Sequence, residues 1–108
     1  MVELAKGGVG LIISSHAYVR QDGQASPWQL GVYSDALIAG LREMTTAVHD
    51  NGGKIILQLA HAGFFAAAKL TGKTPLAVSQ VEGIAKSPRR EMSISDIEEV
   101  VKDFAHAA

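Results

Sequence analysis

Two short runs of unbroken aliphatic character dominate the pattern of this chain, Gly10-Leu11-Ile12-Ile13-Ser14-Ser15 and Lys54-Ile55-Ile56-Leu57-Gln58-Leu59. Each is preceded by a glycine pair, Gly7-Gly8 or Gly52-Gly53. Continuous rather than alternating apolarity predicts strands of a parallel sheet covered on both faces. Between them Leu37, Ile38, Leu41, Met44 and Val48 recur at helical spacing, which predicts an amphipathic helix over about residues 35–50. Ser34 or Asp35 can cap its start, and Asn51 and Gly52 tolerate a left-handed exit. A strand–helix–strand unit follows, with parallel neighbouring strands and a right-handed crossover.

The connections are unequal. Residues 51–53 make a short helix-to-strand turn, whereas residues 16–33 far exceed the ~2–6 residues usual between a strand and its helix. A second long irregular stretch covers residues 61–92, with 75–79 as a short extended element inside it. Long loops after strands and short ones before them put function at the carboxyl edge of the sheet. A last helix starts near Ser93 or Ser95, each with an acid three residues on (Asp96, Glu98) as in a capping box. Ile97, Val100, Val101 and Phe104 form its apolar face, and its pattern reaches Ala108 without a stop signal. Glu3-Leu4-Ala5-Lys6 reads as the final turn of a helix. The expectation is one partial domain over residues 1–108, cut at both ends.

Composition narrows the partners. The chain is 47% hydrophobic and 19% charged, which suits a packed α/β domain and not a disordered one. A formal net charge of -1 gives no reason to expect nucleic acid or an anionic membrane, and Arg89-Arg90, the densest basic spot, reads as a solvated loop. Without cysteine there is no disulfide framework or thiolate nucleophile. No run approaches the ~20 apolar residues of a membrane span, and the start lacks a secretory layout, so a cytoplasmic location is expected.

Gln58 is the anomalous residue. If Ile55, Leu57 and Leu59 face the helices, Ile56 and Gln58 face the other way, at the carboxyl end where a ligand would lie. Its amide offers two donors and an acceptor, matching a flat heterocycle with amide-like edges; a bond to neighbouring backbone is the alternative. Gly7-Gly8-Val9-Gly10 precedes its strand instead of following it, so it reads as a helix-exit turn and not a phosphate loop. His16 and His61 each fall just after a strand, where a parallel sheet could make them neighbours at one edge, but no third ligand accompanies them at zinc spacing. His49 reads as a surface cap in a last helical turn. Trp28 and Tyr33 read as packing anchors, and Phe64-Phe65 as core.

Together these features resemble the old yellow enzyme family of flavin-dependent ene-reductases and NAD(P)H:flavin oxidoreductases. The resemblance is carried by Gly8 to Ile13, by Gly23, Leu30-Gly31 and Tyr33-Ser34-Asp35, and by 75–79, 91–93 and 103–108. Its most specific part is the segment from Gly53 to Gly63, which resembles the family's glutamine-leucine-x-histidine-alanine-glycine signature at Gln58-Leu59-Ala60-His61-Ala62-Gly63. It implies a partial (β/α)8 TIM-barrel segment, the N-terminal portion of an FMN-binding barrel. By resemblance Gln58 binds the pyrimidine edge of the isoalloxazine and the backbone of His16 contacts the flavin. The imidazole of His16 stands where the family often has a small residue, and Phe64 where many members carry arginine. NAD(P)H would be the reductant and a small activated alkene the substrate. A complete barrel takes ~250 residues, so the first barrel strand should precede Met1, and the flavin phosphate site and substrate-binding histidines should follow Ala108. The competing expectation is a non-catalytic barrel segment that persists by self-association or with a partner chain.

Overall fold

A computed structural model describes residues 1–80 and 88–108. The short helix α1 (Val2–Lys6) ends at Gly7-Gly8, with Gly8 at φ +82°, and leads into β1 (Ile12–Tyr18). A single 3-10 turn at Asp35–Leu37 opens α2 (Ile38–His49), and β2 (Ile55–Ala60) follows. β1 and β2 pair in parallel, as the two aliphatic runs and the helix between them predict. The cap of α2 is Ser34, whose hydroxyl accepts from the Ala36 N–H at 3.3 Å, and the left-handed exit residue is Gly52, at φ +76°.

The core lies on the helix side of this pair, in two clusters. Ala5, Ile12 and the fully buried Val48, with Ile55, knit α1, α2 and the amino ends of both strands. Ala17, Val19 and Val32 form the second, at the carboxyl ends, joined by Leu30, Leu41, Leu57 and Leu59. Ile55, Leu57 and Leu59 thus turn toward the helices. Ile13 and Ile56, on the opposite face, remain 58% and 50% exposed.

Beyond β2, the short helix α3 (Ala68–Thr71) leads to β3 (Leu76–Ala77), which pairs in parallel with β4 (Arg90–Glu91). Residues 75–79 therefore contain the expected extended element. Residues 81–87 of the long connection lie outside the described residues. The last helix, α4 (Ile94–Ala107), places Phe104 and Ala107 on the second cluster. Val100 is half-buried, but Ile97 and Val101 are exposed, so only part of the apolar stripe finds a partner.

Three expectations need correction. β1 does not stop at Ser15 but continues to Tyr18, because the Tyr18 N–H and C=O bond Leu30 and Val32 of the returning loop at 2.9 and 3.0 Å. Trp28 is no packing anchor: it is fully exposed at φ +64°, whereas Tyr33 stacks on Tyr18 with ring centroids 5.2 Å apart. Phe65 is 59% exposed and not core, its ring lying against that of the half-buried Phe64.

Arg89 and Arg90 also depart from a plain solvated loop. Arg89 lies over the Phe64 ring at 5.3 Å, and Arg90 grips Asp96 with two bonds, at 2.7 and 2.8 Å. Asp96 belongs to the capping box of α4, in which Ser93 Oγ accepts from the Asp96 N–H while Asp96 accepts from the Ser93 N–H at 2.7 Å. The Arg90 guanidinium first, and the Ser93 donors second, hold the Asp96 carboxyl well below its ordinary range. Because the folded state favours the carboxylate, this contribution is complete above the ordinary carboxylate pKa of ~4 and is lost as pH falls below it. Helix content followed by circular dichroism should therefore decline in acid more steeply in the wild type than in Asp96→Asn. The variant should also be the less stable of the two at pH 7.

Candidate functional site

The carboxyl ends of β1 and β2 carry an irregularity. Ile13 pairs with Ile56 but His16 pairs with Gln58, so β1 spends three steps where β2 takes two. The extra residue is a β-bulge, and Ser15 absorbs it at φ +75°, a left-handed conformation that a side chain disfavours. A bulge disrupts the ladder locally, and here the Gln58 N–H meets a side chain. Ser14 repairs the gap: its buried hydroxyl accepts from Gln58 N at 3.2 Å and donates to the Ser15 carbonyl at 2.8 Å. The consecutive serines Ser14-Ser15 were the sequence signal for this, being small hydroxyl residues that interrupt an aliphatic strand.

The bulge sets His16 and Gln58 opposite one another, one strand spacing of ~4.8 Å apart. Both are exposed, on the face that also carries Ile13 and Ile56. The Gln58 side chain makes no hydrogen bond to any described residue. His16 lies inside β1, not after it, and Gln29 holds it. Gln29 Oε1 accepts from the Ala25 N–H at 2.8 Å, which turns Nε2 toward His16 Nδ1 at 2.6 Å and the His16 carbonyl at 3.3 Å.

His61 is occupied elsewhere. Its Nδ1 accepts the Gly63 N–H at 3.0 Å, so the ring proton is on Nε2, which faces Asp22 Oδ1 at 3.4 Å. Asp22 is 6% exposed and also receives Arg20 Nε at 2.9 Å, while Arg20 Nη1 reaches Glu99 at 3.3 Å and Asp103 at 3.6 Å on α4. A carboxylate so enclosed needs such partners. Gly23 is required here, since a Cβ would stand 2.6 Å from the His61 ring. His16 and His61 thus have separate partners, Gln29 for the first and Asp22 with the Gly63 N–H for the second. Among the described residues no three His, Cys, Asp or Glu side chains gather as a metal site would require. Sequence reasoning missed Asp22, Arg20 and Gln29, whose loop offers no periodicity to read.

Partial burial, followed by the adjacent Tyr33, holds the Tyr18 phenol above its ordinary pKa, so Tyr18 stays protonated beside this edge. The carboxyl edge of the two strands thus presents His16, Gln58 and the Tyr18 phenol, with Ile13 and Ile56 exposed below them.

Parallel strands joined by a helix, with polar groups at the carboxyl edge, form the repeating unit of α/β barrels and of doubly wound sheets. Comparison with known proteins agrees. The sequence model of the NADH:flavin oxidoreductase / NADH oxidase family matches residues 1–108. The old yellow enzyme homologue from Zymomonas mobilis superimposes with a TM-score of 0.84 at 32% identity, covering 99% of this chain and 33% of that one. A 2-naphthoyl-CoA reductase solved with 2-naphthoyl-CoA gives a TM-score of 0.89 at 27% identity, over 98% of this chain and 18% of that one. Morphinone reductase in complex with tetrahydroNAD gives 0.87 at 25%, over 98% and 34%. The chain belongs to the NADH:flavin oxidoreductase / NADH oxidase family, and it corresponds to part of an old yellow enzyme barrel. It spans about a third of the length of the first and third of these structures.

The bulge generates a direct test. Ser14→Ala removes this acceptor of the Gln58 N–H and should cost ~0.5–1.5 kcal/mol, the usual net worth of an intramolecular hydrogen bond. Exchange of the Gln58 amide hydrogen should accelerate with it, while amides of α2 change only with global stability. An unaltered Gln58 exchange rate would show that the serine does not close the ladder.

Proposed function

We propose that this segment supplies part of the isoalloxazine site of an FMN-dependent NAD(P)H oxidoreductase of the ene-reductase type. The observation that carries the reading is the Gln58 amide, free of described partners and exposed on the inward face of β2, within the stretch that most resembles the family's flavin motif. Gln58 would hold the pyrimidine edge through its amide, with the backbone of His16 beside it. The apolar floor of Ile13 and Ile56 suits a flat ring. When bound, FMN supplies a carrier that accepts hydride from NAD(P)H and passes it to an activated alkene. The protein's share is to position that carrier and tune its electronics. Donors from Gln58 to the pyrimidine carbonyls favour the electron-rich reduced ring. The tetrahydroNAD and naphthoyl-CoA complexes of two similar proteins support nicotinamide and a conjugated carbonyl compound as the partners.

Gln58→Leu in the complete flavoprotein tests the assignment, because it preserves volume and deletes the hydrogen bonds. FMN affinity should fall by ~0.5–1.5 kcal/mol for each bond lost, and the flavin reduction potential should drop. Apo-protein melting should be unchanged. The reverse pattern, a lower melt with unaltered flavin binding, assigns Gln58 a structural role instead.

A non-catalytic role for residues 1–108 by themselves is the second reading, and the exposed faces favour it. Ile13, Ile56, Ile97 and Val101 lie open, and surfaces of this kind need cover from further barrel strands or from copies of the chain. Prepared alone, residues 1–108 should self-associate and lack turnover. Sedimentation as a compact monomer with a cooperative melt would contradict this.

A further inference from the structure

The His16 side chain is not accounted for by a backbone contact, and three features converge on it. The bulge that puts His16 opposite Gln58 is held at the expense of a left-handed Ser15, and non-glycine outliers of this kind concentrate where a site demands them. Gln29 reaches across from the loop to clamp the ring, with its own orientation dictated by the Ala25 N–H. Since Gln29 presents its NH2 group, Nδ1 of His16 must accept, and the imidazole is the neutral tautomer carrying its proton on Nε2. That Nε2–H has no acceptor among the described residues. By contrast, both ring nitrogens of His61 are engaged.

We infer that His16 is a second side-chain donor to the flavin, its Nε2–H bonding an oxygen or nitrogen of the isoalloxazine beside the edge held by Gln58, with Gln29 as the residue that positions it. This rests on the flavin-site reading above. A strand spacing separates His16 from Gln58, so both reach one planar ring at neighbouring polar atoms. A neutral donor adds no net charge to the site. It strengthens as electron density enters the ring, and so favours the reduced state.

The test uses the complete FMN-loaded enzyme, with bound flavin, reduction potential and the histidine tautomer (from 15N-labelled protein) as readouts. His16→Ala should keep FMN bound but lose about tenfold of the preference for reduced over oxidised flavin. That lowers the two-electron potential by ~30 mV. His16→Gln, which restores a donor, should recover part of the shift. Gln29→Leu should lower the potential in the same direction and let the His16 ring populate both tautomers, and it remains informative if His16→Ala fails to fold. An unchanged potential in both His16→Ala and Gln29→Leu, with Gln58→Leu still shifting it, overturns the inference and leaves the flavin site standing. A wild-type protein that binds no FMN overturns both.

Discussion

The parallel ladder between β1 and β2 is the constraint from which the rest follows. Side chains of a strand alternate, so a slip of one residue would exchange the buried set for the exposed one. Here the ladder contains such a slip by design, between Ile13 and His16. Before it, Ile12 and Ile55 face the helices; after it, Ala17 and Leu59 do, and without the extra residue His16 would be driven into the core in place of Ala17. The bulge therefore keeps both core clusters apolar while delivering two polar side chains to the opposite face. Its local cost, a strained Ser15 and a ladder disrupted at the Gln58 N–H, is limited by the Ser14 hydroxyl.

Burial is correspondingly one-sided. On the helix side, Val48 and Ala17 are fully enclosed and Gly53 is pressed so close that a Cβ would stand 2.7 Å from Ala5. On the other side, isoleucines at a strand's centre are half open. At ~25 cal/mol per Å² of apolar surface, leaving such residues wet forgoes a sizeable part of the driving force for folding. That asymmetry is what a sector of a barrel shows when its interior layer is considered without the facing strands.

Regular elements were legible because their periods are properties of a single segment. The aliphatic runs, the stripe of α2, the capping serine Ser93 with Asp96 and the inward orientation of Gln58 all follow from spacing. What was not legible depends on contacts between distant positions. Nothing local in Tyr18 announces that Leu30 and Val32 will return to extend its strand. Trp28 has the composition of an anchor, yet the loop turns it out. Arg20 and Asp22 lie within an irregular stretch, and their value depends on Glu99 and Asp103, the nearer of them 79 residues from Arg20. Resemblance supplied the position of Gln58 in a motif. It was silent on Gln29, which matters only because this chain has a histidine at residue 16.

The two histidines at the carboxyl edge show how placement divides structure from chemistry. His61 is enclosed, both nitrogens are satisfied, and its ring fills the space that Gly23 leaves open. It joins the loop after β1 to the turn after β2, and through Asp22 and Arg20 it couples both to α4. A group so fully engaged has no donor or acceptor left for a ligand. His16 is held at Nδ1 by the Gln29 amide, and among the described residues its other ring nitrogen has no partner. Its ring is oriented without being consumed. A rigid frame built from the first histidine and the donor proposed for the second are complementary requirements: hydrogen bonds tune a cofactor only if the groups that make them cannot relax away from it.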